Sequence, residues 1–286
     1  MIENTIAAMD RSGRMLSDVA NIFGMICAAE TNDALQELEG KLMPQLTVHS
    51  DEILMNAELF KRVKAVYDNP GWCLSKEDKK LLENTYKSVV LSGANLNDAD
   101  KELYRQYSSE LSQLTLQFGQ NSLAANNAFA LNITDAKKVA ELPDFVKEGL
   151  AMEAKARGQK GWTVTLKAPS YVPFVTYSSQ RDLKEKLYKA RNSCAIGGKF
   201  DNTENIRKIT ALRLKIANLL GYECYADYVL DNRMAEKTAT VNDFLAELLS
   251  QTKEYADKDY QTINAYAHSL GFKGDIQPWD FSYYSE

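Results

Sequence analysis

Two histidines stand in the chain, His49 and His268, and neither is followed by glutamate. The HExxH arrangement is therefore absent, in which two imidazoles one helical turn apart bind a metal and the glutamate between them deprotonates a metal-bound water. A site built from two such distant, solitary histidines lacks the close ligand spacing of known metal centres. His268 lies three residues before Gly271, where an imidazolium would favourably face the carboxyl end of a helix, and that is the role its position predicts.

Other reactive patterns are equally sparse. No GxSxG elbow, Walker loop or GxGxxG fingerprint occurs, so Gly197-Gly198 is read as a turn. A cysteine nucleophile needs an activating base, and with so little histidine Cys27, Cys73, Cys194 and Cys224 are poor candidates; Cys27 reads as core packing. With 39 acidic residues, carboxylate pairs arise by chance and pattern selects no acid/base dyad. The sequon Asn132-Ile133-Thr134 matters only outside the cytoplasm.

Aromatic residues are the richest resource. The 15 tyrosines include a cluster at Tyr222, Tyr225 and Tyr228 and a pair at Tyr283 and Tyr284. One reading is core packing with the hydroxyl reaching a polar partner; the other is a peptide-binding wall, for which Trp279, Tyr283 and Tyr284 are the best candidates. Arg233, in LDNRMA, suits either a structural ion pair or a substrate carboxylate.

The elements that must position these residues are mostly helical. In the first segment Ile2, Ile6, Met9, Leu16, Val19, Phe23 and Ile26 fall on one stripe, predicting a helix to about Ala29. Thr31-Asn32-Asp33 opens a second, and a third is expected near 51–67. Ser75-Lys76-Glu77-Asp78 has the form of a capping box opening Lys76 to about Leu91. From Asn97 to about Asn127 Leu103, Tyr107, Leu111, Leu114 and Phe118 recur at helical steps, and such a helix would extend ~45 Å. A helix pair split by Pro143 follows.

The period then changes. Trp162, Val164 and Leu166 alternate with polar residues as in a strand, and 171–177, with two nearby prolines, is expected as its extended edge partner. Helices resume at Ser179 and at about Asn202, the latter ending before Gly221. Thr240-Val241-Asn242-Asp243 is read as a capping box opening a helix to Gly271, and Asp280 as the N-cap of a last short one. The fold class is mainly α, an elongated multi-helix assembly with a small β-hairpin-like segment near 161–177. Three regions are expected: a helical bundle over 1–158, a short β segment over 159–177, and a second helical region over 178–286. A helical stripe already running at Ile2 and six residues after Asp280 suggest a piece of a longer protein.

Composition agrees. Of 286 residues, 45% are hydrophobic, enough for a sizeable core, while 14 glycines and 6 prolines are too few for a turn-rich β fold. With 34 basic against 39 acidic residues no field attracts phosphate backbones, so nucleic acid is not an expected partner. The longest apolar-leaning run, 19–29, is too short to span a bilayer. Scattered cysteines without a CxxC pair suit free thiols in a reducing, cytoplasmic setting.

The order of segments resembles the thimet-oligopeptidase-like zinc metallopeptidases, in particular their bacterial peptidyl-dipeptidase (dipeptidyl carboxypeptidase) branch. The resemblance is carried by SGRMLSDVANIF, ETNDALQELE, HSDEILMNAELFKRVKAVYD, NNAFAL, GWTVTLKAPSYVPFVTYSSQRDLKEKLYKA, LLGYECYADYVLDNRMA and QPWDFSYYSE, in that order. Each is unremarkable alone; their succession is not.

The resemblance implies a largely helical body split by a deep channel, with zinc on an HExxH helix at its floor. It also implies that the HExxH helix, the further glutamate ligand and the groups that stabilise the tetrahedral intermediate lie beyond Glu286. On that reading no catalytic and no metal residue is expected in this chain. Zinc belongs to the full-length parent, whose substrates are short peptides, and the chain's partner is the missing C-terminal catalytic half. The chain itself would be a non-catalytic part of the channel wall. The competing class is a helical scaffold or protein-interaction module with no catalytic half, which composition and periodicity alone permit.

Overall fold

The computed structural model describes residues 2–71 and 74–286, so the expectation for Cys73 lies outside the described residues. The protein is mainly α. In chain order the helices are α1 (Ile2–Arg11), α2 (Arg14–Ala29), α3 (Asp33–Leu54), α4 (Ala57–Asp68), α5 (Lys76–Leu91) and α6 (Asp98–Ala128). After strand β1 (Leu131–Ile133) come α7 (Asp144–Ala156), strand β2 (Trp162–Val164), α8 (Ala168–Tyr177) and α9 (Arg181–Asn192). The remaining helices are α10 (Thr203–Leu219), α11 (Tyr225–Leu230), α12 (Thr238–Ser269) and α13 (Pro278–Ser285).

Two compact units divide the chain: Met1–Phe118 with Asn205–Thr238, and Gly119–Glu204 with Ala239–Glu286. In the first, Ile6, Val63, Val66 and Leu82 form a core shared by α1, α4 and α5, capped by Tyr67 stacked on Tyr86 with ring centroids 3.9 Å apart. A second core joins Met55, Tyr104 and Ile216. Here the tyrosine cluster packs inward, with Tyr222 and Tyr225 each 5.6 Å from Tyr228. Burial pushes the Tyr104 and Tyr228 phenols above the usual range, as expected for core tyrosines whose neutral form is favoured.

The core of the second unit is built on β1, β2, α7, α8 and α9, with Phe174, Leu187 and Val164 fully buried. The small β element is present, but its pairing differs from expectation. β2 pairs antiparallel with β1, in register Leu131↔Val164 and Ile133↔Trp162, while 168–177 is helical. Pro169 falls in the first helical turn, where a missing N–H forfeits no bond, and Ser170 Oγ accepts from the Thr165 N–H at 2.9 Å. Burial of Phe174 and Val175 then holds the helix despite Pro173. The Asn132 amide donates to the Lys160 carbonyl and to Thr163 Oγ1, each at 3.0 Å, tying the hairpin together.

Caps explain where helices start. The Ser75 box is present, with the Asp78 N–H donating to Ser75 Oγ at 3.0 Å. Elsewhere boundaries shift. The first stripe breaks at Gly13, whose φ of +70° lies in the left-handed region and separates α1 from α2. The expected third helix is divided, since 51–54 completes α3 and Asn56 caps α4. Helix α12 starts before Thr240, which sits inside it, and Asp280 is the fourth residue of a box whose N-cap is Gln277.

Candidate functional site

The residues singled out on α13 meet α9 inside the second unit. On α9, Leu183 and Leu187 point into the core, while Arg181, Lys184 and Tyr188, three and four residues apart, share the face toward α13. The Asp280 carboxylate, buried to 1% exposure, accepts from the Gln277 N–H at 3.0 Å and from Arg181 in a fork, Nε at 3.0 and 3.1 Å and Nη2 at 3.0 Å. This pair raises the Arg181 pKa further and anchors the start of α13.

Lys184 is almost fully buried, and its ammonium sits 4.1 Å from the Tyr283 ring centroid. Burial pushes its pKa down to about 8, against the pull of Asp280 and with added repulsion from Arg181. The Trp279 ring lies between cations, 5.6 Å from both Arg181 and Lys189, and edge-on to Tyr188 at 5.8 Å. Its indole N–H is buried with no hydrogen-bond partner among the described residues. Tyr284 packs on Tyr283 and Phe272, with centroids 5.1 and 5.7 Å away.

The structure thus brings Trp279, Tyr283 and Tyr284 together as a half-buried aromatic face locked to α9 by cations. Arg233 belongs to the other unit, exposed on the segment between α11 and α12. Sequence reasoning missed Arg181 and Lys184, which lie about a hundred positions before their partners. Their only local signal was two basic residues at helical spacing on a face beside the apolar one.

This arrangement supports packing and contact rather than bond making. Lys184 is the one amine with a strongly lowered pKa among the described residues, yet it is enclosed, and the Asp280 carboxylate near it is itself buried in the fork with Arg181. The other candidates stand apart. His49 is exposed on α3, and His268, in the last turn of α12, places Nε2 2.7 Å from the Gly274 carbonyl, the helix-end position expected for it. Among the described residues no three His, Cys, Asp or Glu side chains gather as a metal site. Cys27, Cys194 and Cys224 are free thiols. No helix among the described residues is long and apolar enough to cross a membrane.

Comparison with known proteins gives the lineage. Residues 174–286, from within α8 through α13, match the model of peptidase family M3. The chain is 30% identical over 285 residues to oligopeptidase A of Salmonella typhimurium, covering 98% of this chain and 41% of that protein. It is 31% identical over 289 residues to dipeptidyl carboxypeptidase of Escherichia coli, covering 99% and 42%. A probable cytosolic oligopeptidase A of Arabidopsis thaliana is 30% identical over 289 residues, covering 96% and 41%. The chain therefore spans about two fifths of the length of these relatives. With an M3 match over its last two fifths and this similarity along nearly all of its length, the chain matches peptidase family M3, the thimet-oligopeptidase-like family that its ordered segments resemble.

Proposed function

We propose that the chain is a non-catalytic, channel-wall portion of a zinc-dependent peptidase that hydrolyses short peptides. One observation carries the reading: the similarity to oligopeptidase A and dipeptidyl carboxypeptidase runs through 98–99% of this chain while taking in only 41–42% of theirs. On this reading the metal is held by polypeptide outside this chain's span. Zinc, when bound there, supplies an activated water and a Lewis acid; the residues of this chain contribute surface.

The wall residues we assign are the aromatic face of Trp279, Tyr283 and Tyr284 and, separately, Arg233. Tyrosine rings offer an apolar surface with a hydroxyl, suited to peptides of varied sequence, and an exposed guanidinium suits a peptide carboxylate. Release of C-terminal dipeptides is the specificity proposed, together with a cytoplasmic location in keeping with the name of the Arabidopsis relative.

The genomic frame beyond Glu286 is the first test. An HExxH within the next few hundred codons is expected, and a stop codon at that point refutes the reading in favour of a scaffold. Specificity is tested on the longer protein by amidating peptide C-termini: a peptidyl-dipeptidase loses most of its rate, an endopeptidase does not.

A further inference from the structure

Helix α12 is packed near its C-terminus, and its first residue, Thr238, donates a hydrogen bond to Asp227. Near its C-terminus Ala267 is buried, the Tyr260 hydroxyl donates to the Ile276 carbonyl at 3.2 Å, and Asn264 Oδ1 accepts from the Ile276 N–H at 3.0 Å. Upstream, every residue from Asn242 to Thr262 is exposed. A helical stretch of about 20 residues with no packed face is marginal in water, because propensity alone barely offsets the cost of ordering it.

The sequence of this stretch is not that of a solvated helix. Phe244, Leu248 and Tyr255 recur at helical steps and are 63%, 47% and 68% exposed, with Leu245 and Leu249 beside them. The stripe from Val241 to Tyr255 is ~21 Å long, the length over which two helices pack ridge into groove. An apolar surface of this extent marks an interaction site.

Charge narrows the occupant. Helix α12 carries Asp243, Glu247, Glu254, Asp257 and Asp259 against Lys253 and Lys258. Both lysines are engaged along the helix, Lys253 with Asp257 and Lys258 with Glu254, each at 2.7 Å. Two copies of this face would bring net negative helices together, so a second copy is disfavoured. The relatives, by contrast, are more than twice as long as the stretch they share with this chain.

We propose that the Phe244–Leu248–Tyr255 face is the docking surface for an apolar, neutral or basic-flanked helix from the part of the longer M3 polypeptide beyond this chain's span. The inference rests on the proposed function and adds the surface through which the wall joins the rest of the protein.

The test is hydrogen exchange over 242–262, measured on the purified 286-residue chain and on the longer protein encoded by its gene. Exchange in the longer protein is expected to be slower by about tenfold or more, and Phe244→Glu with Leu248→Glu is expected to abolish the difference. Because both positions are exposed, the double variant of the 286-residue chain should fold unchanged, checked by circular dichroism. Equal exchange in the two proteins, protection already present in a dimer of the 286-residue chain, or a frame ending at Glu286 overturns the proposal. Peptide hydrolysis by the longer protein is read separately. Activity without protection removes this surface and leaves the function standing; protection without activity does the reverse.

Discussion

Arg181 and Asp280 form a forked ion pair across α9 and α13, with the carboxylate 1% exposed and the arginine side chain 44% exposed. The two ends of the pair are unequal. Asp280 also accepts from the N–H of Gln277, the N-cap of its own helix, and faces the buried Lys184, so one carboxylate serves a cap and two cations.

Removing the buried end should therefore cost more than removing the wet one. Asp280→Asn leaves Lys184 without its counter-charge and is expected to destabilise the protein by about 3 kcal/mol. Arg181→Gln, losing a half-solvated partner, is expected to cost about 1 kcal/mol. Urea unfolding at pH 7 measures both, and equal losses contradict the asymmetry.

Lys184 makes stability depend on pH in a definite direction. Its folded pKa of about 8 lies below the ordinary 10.5, so between these values the unfolded chain binds more protons and stability rises with pH. The penalty is complete below about 8 and relieved above 10.5. Lys184→Met should flatten this rise while leaving stability at pH 7 at least equal to that of the natural protein. Unfolding curves across pH 7 to 10.5 for both proteins decide it; parallel slopes count against the assignment.

The hairpin that seats β2 depends on one glycine. Gly161 has a φ of +85°, and a Cβ there would stand 2.2 Å from the Ile133 carbonyl oxygen, a backbone atom with nowhere to go. Gly161→Ala is expected to cost about 3 kcal/mol or more. Gly158, with φ of +66° but open space around it, should lose only about 1 kcal/mol as alanine, from backbone strain alone. Thermal unfolding of the two variants separates clash from strain.

Arg233 offers a cleaner test of the wall than the aromatic face, which also packs against α9. Because its side chain is exposed, Arg233→Ala should not alter folding. In the longer protein it is expected to raise KM for short peptides by about threefold to tenfold with kcat unchanged, the pattern of lost substrate binding. An unchanged KM returns Arg233 to an ordinary surface residue.

Much of this fold was written in local pattern. Leu103, Tyr107, Leu111 and Leu114 announced α6, and the Ser75 and Asp78 pair announced α5, because periodicity and capping act over three or four residues. Residues 171–177, expected as the extended edge partner of β2, lie instead in helix α8. What decides its state is nonlocal: Phe174 entering a core built by β1, β2 and α9, and the hairpin partner lying thirty residues upstream. The candidate site follows the same rule. Trp279, Tyr283 and Tyr284 were visible because they are neighbours in sequence, whereas Arg181 and Lys184 become partners only through the packing of α13 on α9.

Peptide hydrolysis assayed side by side on the 286-residue chain and on the longer protein tests the central claim most directly. With zinc supplied to both, the longer protein is predicted to cleave short peptides and to stop on chelation, while the 286-residue chain stays inactive and takes up no stoichiometric metal. Metal-dependent dipeptide release by the 286-residue chain alone would contradict the account.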